Sequence, residues 1–227
     1  MDTGLCGGWR LTEYVTREDD NVLVLFDFDK TLITVDSFRL FVRTGATSLG
    51  DHLRAVFSAV LCRAGFLSNR QYKEHLLRRV WGRRSPEDRT RLLARFLESV
   101  RRRQDPVVVR RLLDHVRDGH RVVVMSASPE FYLGPIVHGL SERVEVYGSR
   151  VTVEDTRVDV ENLHGEPKAE RARALIGERR PDRVHVYTDH AVDLPLLRLA
   201  DFATLVRPSR KLLCAVRQMG LEFETIP

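Results

Sequence analysis

Residues that staple or anchor a chain are scarce here. Cysteine occurs only at Cys6, Cys62 and Cys214, an odd number, far apart and without a C-x-x-C pair, so neither a disulfide framework nor a cysteine-bound zinc is expected. Lysine is confined to Lys30, Lys73, Lys168 and Lys211, and the positive charge behind the net +5 is carried by arginines interleaved with acids. Charge dispersed in that way belongs to a solvated surface, and no nucleic-acid partner is expected. Uninterrupted apolar runs of membrane-spanning length are missing too, so no transmembrane segment is expected. A basic-then-apolar signal is also lacking, because Asp2, Glu13 and the acids at 18–20 intervene. Repeats and low-complexity stretches are absent as well. A soluble, cytoplasmic protein fits these absences. At 227 residues with 43% hydrophobic content, the chain can bury one substantial core with a smaller module inserted into it.

What is there centres on residues 22–32, VLVLFDFDKTL, where a run of β-formers ends in two aspartates one residue apart. An all-apolar run is the mark of a strand buried on both faces of a parallel sheet, and it places Asp27 at the carboxyl end, where open α/β sheets bind ligands. Two carboxylates so close repel and are expensive to bury; a cation is the usual compensation, and Mg²⁺ suits oxygen ligands. Alone, D-x-D proves little, since exposed strand-end acids that cap a turn or the next helix are commoner. Here, however, three further pieces follow strand-like or helix-opening patterns: MSAS at 125–128, Lys168, and YTDHAVD at 187–193.

Taken in order, residues 1–20 read as an irregular leader with a helical turn around 11–15. Asp36 or Ser37 caps a helix ending near Gly45, and residues 46–103 show helical periodicity only, broken at Gly65 and restarted by the cap-proline-acid signature at Ser85. This gives a core over 21–45 and 104–227 with a helical insertion over 46–103. Asp105-Pro106 opens a further helix that ends at Gly119; a second strand, RVVVMS, follows, and Ser128-Pro129 reads as the cap of the next helix. A β-hairpin is expected after Val144. Lys168 then sits in the first turn of a helix, where a cation opposes the dipole and so calls for a nearby anion. A third strand at 184–187, a helix to about Ala200, a strand at 202–206, a last helix and a tail able to pair with the sheet complete the chain.

DFDKT, Ser126, Lys168 and the pair Asp189/Asp193 together resemble, in order and spacing, the four motifs of the haloacid dehalogenase-like superfamily of aspartate-nucleophile phosphatases, in its phosphoserine-phosphatase-like branch. The resemblance implies an α/β fold, a doubly wound and mainly parallel Rossmann-like sheet, with an inserted helical cap and a small β-hairpin. It implies a Mg²⁺-dependent phosphomonoester hydrolase in which Asp27 is the nucleophile and Asp29 the general acid and base. By the same resemblance Ser126, Ala127, Lys168 and Thr31 hold the phosphate. Asp27, Asp189 and the backbone carbonyl of Asp29 hold the metal, and Asp193 either ligates through water or orients Lys168, though it could equally cap the helix that follows. Phosphoserine phosphatases favour Gly-Asp where this chain has Thr188-Asp189, and an asparagine where it has Val192. Asp36 stands where they use a glutamate for the substrate amino group. These departures imply another small phosphorylated metabolite or a lipid headgroup as substrate. A phosphotransferase would use the same site, and a non-catalytic phospholigand- or nucleic-acid-binding module would have no need of the full set of aspartates. His190 and His164 read as loop side chains, the former placed to tune a metal's surroundings.

Overall fold

The structure, a computed structural model, describes residues 21–46, 49–155 and 157–227, so the expected leader lies outside the described residues. Among these, seven strands form one sheet in the order β4-β3-β2-β1-β5-β6-β7. The strands are β1 (Val22–Phe26), β2 (Arg121–Pro129), β3 (Glu145–Glu154), β4 (Arg157–Glu161), β5 (Arg183–Thr188), β6 (Phe202–Val206) and β7 (Glu222–Ile226). Every pairing is parallel except β3 with β4, the expected hairpin, and the tail strand β7 joins β6 in register from Phe202↔Glu222 to Val206↔Ile226. The doubly wound, mainly parallel α/β fold read from the sequence is therefore the one observed.

The alternation of side chains along β1 explains its unbroken apolar run. Val22, Val24 and Phe26 enter one core layer and Leu23 and Leu25 the other. The first layer is built from α1 (Ser37–Gly45), α4 (Pro86–Arg101), α5 (Pro106–Arg117) and α6 (Glu130–His138); the second from α7 (Glu166–Arg179), α8 (Leu194–Leu197) and α9 (Arg210–Gln218). Because β2 and β5 flank β1 on either side, the strand order reverses there, and that is where a crevice opens at the carboxyl ends.

The helical insertion contains α2 (Leu49–Arg63), α3 (Asn69–Leu77), a π-helical turn (Arg78–Gly82) and α4. Ser68 caps α3 in a reciprocal box with Gln71, and Ser85 caps α4 ahead of Pro86, the latter as the sequence predicts. Leu76, Leu77, Val80, Leu92, Phe96 and Val100 are buried in the same layer as Phe26 and Phe41, with the Phe41 and Phe96 rings 5.1 Å apart. By contrast α2 leaves Leu53, Val56, Phe57 and Val60 exposed.

Two sequence expectations are corrected. The helix expected to run to about Ala200 is only a 3-10 turn (Ala191–Asp193) followed by the four residues of α8, because Asp193 and its neighbours are spent on side-chain bonds at the site. Ser128 does not cap α6: β2 runs on through Pro129, which occupies the cap without a side-chain bond, and the Ser128 hydroxyl turns to Asp29.

Two stability predictions follow from the packing. Gly148 lies on β3 against the turn after β2, and a Cβ there would sit 2.8 Å from the Ser128 carbonyl oxygen and 2.8 Å from the Glu130 Cα, both backbone atoms that cannot swing aside. Gly148→Ala should cost about 1–3 kcal/mol in a urea melt, and an unchanged midpoint would contradict this packing. Beneath β1, His115 is buried, bonds Tyr187 and His120, and has its pKa pushed down to about 4 by burial. A histidine depressed in this way contributes stability above its unfolded pKa and loses it as pH falls below about 6.5. The stability difference between wild type and His115→Gln should therefore shift against wild type by about 1.4 kcal/mol per pH unit between pH 6.5 and 5; a difference independent of pH would contradict the burial of a neutral imidazole.

Candidate active site

Asp27 follows β1 directly, and its N–H donates to the Tyr187 carbonyl of β5 (2.9 Å), so the sheet ladder itself sets the direction of the side chain. One carboxylate oxygen accepts from the Lys168 ammonium (2.6 Å) and the other from the Thr31 hydroxyl (3.2 Å). Thr31 is fully buried and does not line the crevice. It holds Asp27 rather than standing where it could touch a phosphate, because the turn after β1 folds its side chain inward.

Lys168, buried in the first turn of α7, also reaches both oxygens of Asp193 at 3.1 Å. The cation that was a misfit against the helix dipole thus has two carboxylates. Burial favours the neutral amine, but Asp193 and Asp27 outweigh it and hold Lys168 charged. Asp193 accepts in addition from Thr188 (2.7 Å) and makes no cap bond to α8; its side chain orients the lysine.

Asp189 completes the acids at this end of β5. Burial raises its pKa, and the same cause pushes Asp27 up to about 7 despite the neighbouring Lys168 charge, with Asp193 and Asp189 adding to the rise. At this corner of the crevice the Asp27, Asp189 and Asp193 carboxylates stand near the one Lys168 ammonium and offer oxygen donors. Among the described residues no three histidine, cysteine, aspartate or glutamate side chains converge as a metal site. The expected ligands include only the Asp27 and Asp189 side chains, the third being a backbone carbonyl. An all-oxygen set fits Mg²⁺.

Asp29 is aimed by neighbours on two elements. The Ser37 N–H at the start of α1 donates to one oxygen (2.5 Å) and the Ser128 hydroxyl to the other (2.6 Å). Burial nevertheless raises its pKa, which favours a carboxyl that can carry a proton. Ser37 and Ser128 were missed as partners of Asp29; the period of an extended chain, which puts 126 and 128 on one side, was the available signal. Ser126 accepts from the Ser128 N–H (3.1 Å), so its own hydroxyl proton is left to donate into the crevice. Asp36 caps α1 through the Arg39 N–H (2.9 Å) and also lines the crevice. His190 turns its Nδ1 to the Val192 N–H (3.1 Å), while His164 lies at the crevice wall. The cavity holds about 370 Å³, and Asp27, Asp29, Ser126, Ala127, Lys168 and Asp189 all line it.

A fold with this arrangement has many solved counterparts. A Bordetella pertussis protein of unknown function superposes with a TM-score of 0.78 over 90% of this chain and 98% of its own, at 21% identity. A haloacid dehalogenase family hydrolase from Salmonella enterica gives 0.70 at 14% identity over 90% of this chain and 68% of its own. A phosphoserine phosphatase solved with substrate bound gives 0.64 at 17% identity over 85% and 89%. A Mycobacterium tuberculosis protein named as a probable phosphatase is 36% identical over 103 residues, which span 43% of this chain and only 36% of that relative. Among the described residues no helix is long and apolar enough to cross a membrane. Residues 24–198 match the family model described as haloacid dehalogenase-like hydrolase, and with the fold and the four clustered motifs this places the chain in that family.

Proposed function

We propose that the chain is a Mg²⁺-dependent phosphomonoester hydrolase that acts through an aspartyl-phosphate on Asp27. The observation that carries this reading is the Asp27 carboxylate itself, held at the mouth of a buried strand between Lys168 and Thr31 and facing a cavity that Ser126 and Ala127 also line. A carboxylate fixed on both oxygens, with an ammonium beside it, is pre-aimed for attack on a phosphorus whose oxygens need positive partners.

In this reading the phosphoryl group enters with its oxygens toward the Ser126 hydroxyl, the Ala127 N–H and the Lys168 ammonium. An Asp27 oxygen attacks phosphorus, the bond to the ester oxygen breaks, and Asp29 gives its proton to the departing alkoxide. A water then attacks phosphorus, Asp29 takes a proton from it, the acyl phosphate bond breaks, and phosphate leaves with Asp27 regenerated. Mg²⁺, held by Asp27, Asp189 and the Asp29 carbonyl, would supply charge neutralisation for the phosphoryl oxygens. Residues 46–103 act as the cap that admits substrate and excludes bulk water during attack. The substrate class is a small phosphorylated metabolite or a lipid headgroup, since the cavity is modest in size and Asp36, not a glutamate, stands at its wall.

Phosphate release should require a divalent ion, with Mg²⁺ best and Ca²⁺ inhibitory because its looser, larger shell misplaces Asp27; full turnover in excess EDTA would contradict the metal assignment. The two aspartates should fail differently. Asp27→Asn removes the attacking oxygen and should abolish reaction with every ester. Asp29→Asn should slow alkyl phosphates by about 10²–10⁴-fold while p-nitrophenyl phosphate, whose phenolate leaves unaided, still gives a burst stoichiometric with enzyme and then a slow phase. A burst from the Asp27 variant would reverse the roles. Equal loss in both variants with no trapped phosphate would favour direct attack by water.

A further inference from the structure

The insertion places a buried cation at the wall of the phosphate pocket. Lys73, on α3, is 6% exposed, and its ammonium donates to the Ala127 carbonyl (2.5 Å) and to the Asn162 side-chain oxygen beyond β4 (2.7 Å). The Ala127 carbonyl also accepts from the Ser149 hydroxyl of β3 (2.6 Å), and that hydroxyl lies 3.3 Å from the same Asn162 oxygen. On its other side the peptide that begins with this carbonyl donates its N–H to Ser126, and its next residue, Ser128, holds Asp29. One peptide group therefore ties the phosphate-binding serine and the general acid's partner to the insertion.

The chemistry of this node is out of balance. Both direct acceptors of Lys73 are uncharged, and a buried ammonium on neutral acceptors is costly. Burial pushes its pKa down to about 8, with Asp29 and Asp36 countering only from a distance. For anchoring alone the charge is unnecessary, since a neutral donor serves: the Ser149 hydroxyl already donates to the Ala127 carbonyl. An anion in the cavity that Lys73 lines would use it.

Resting on the phosphomonoesterase reading, we propose that Lys73 is a positioning residue of the phosphate pocket. Its charge, delivered by the helical insertion onto the Ala127 peptide, completes the pocket for the phosphoryl group common to all substrates, whatever the leaving group. It polarises the peptide so that the Ser128 N–H is a stronger donor to Ser126, which in turn frees the Ser126 proton for the phosphoryl oxygen. Without the charge the end of β2 keeps its shape but loses its grip on the anion.

The test uses the full chain with Lys73→Met and Lys73→Arg. In phosphate-free buffer Lys73→Met should melt at or above the wild-type temperature, because a costly buried charge is gone while the Ser149 hydroxyl still donates to the Ala127 carbonyl. Inorganic phosphate should raise the wild-type melting temperature and that of Lys73→Met much less, with the phosphate inhibition constant weakened by about tenfold or more. The kcat/KM should fall by about 100-fold, to the same extent for neutral, anionic and aryl leaving groups, and Lys73→Arg should recover part of it. Failure of Lys73→Met to fold, or a marked loss of stability, would show that Lys73 is only an anchor and overturn the proposal. Unchanged phosphate binding would overturn it as well. A loss confined to substrates with a second negative charge would make Lys73 a contact for the leaving group, which also contradicts it. If wild type binds phosphate but cleaves no phosphomonoester, the function reading fails, and the thermal shift of the two variants still decides the role of Lys73.

Discussion

The structure depends on one buried ion cluster: the Lys168 ammonium shared by Asp27 and Asp193 at the ends of β1 and β5. Burying such groups costs several kcal/mol per ion before any pairing, and removing one partner of a buried pair typically costs about 3–5 kcal/mol. The fold meets that cost with geometry. The β1–β5 ladder fixes Asp27, the 3-10 turn after Thr188 presents Asp193, and the first turn of α7 brings the lysine between them. A charge that opposes the dipole of its own helix is stable only because those two carboxylates arrive from elsewhere in the chain.

Around this cluster the polar layer is divided between elements of different origin. Thr31 and Thr188, both fully buried, hold the carboxylates from below. Ser37 and Ser128 hold Asp29 from the side, and their hydroxyls lie 2.7 Å apart with Tyr132 behind them. Lys73 comes from the insertion. In the proposed reading Asp27 and Asp29 both follow β1, while Ser126, Ala127 and the Asp29 partner Ser128 sit at the end of β2, which Lys73 of the insertion touches. On the proposed reading of residues 46–103 as a cap, that strand end connects its movement directly to the chemistry.

Much of this was legible in the residues. The apolar run of β1 read as a doubly buried strand because both faces are covered, and Lys168 stood out as a local misfit that only an anion could explain. Ser85 and Gly119 marked helix ends correctly since capping is local chemistry. What escaped was settled by distance in the chain. Ser128 looked like a cap because Ser-Pro-Glu is a capping pattern, but the carboxylate of Asp29, 99 residues away, competes for its hydroxyl and wins. Thr31 was assigned to phosphate by motif, and the turn buried it beneath Asp27. Lys73 gave a faint signal, a rare lysine three and four residues before the buried Leu76 and Leu77, which places it near the inward face of its helix; its acceptors lie on β2 and beyond β4.

The central claim is that Asp27 carries the phosphoryl group between two displacements. Its most direct test is the stereochemical course at phosphorus, followed with an isotopically chiral phosphate ester hydrolysed in labelled water. Two successive in-line displacements, first by Asp27 and then by water, predict overall retention of configuration. Inversion would mean a single displacement by water and would contradict the account.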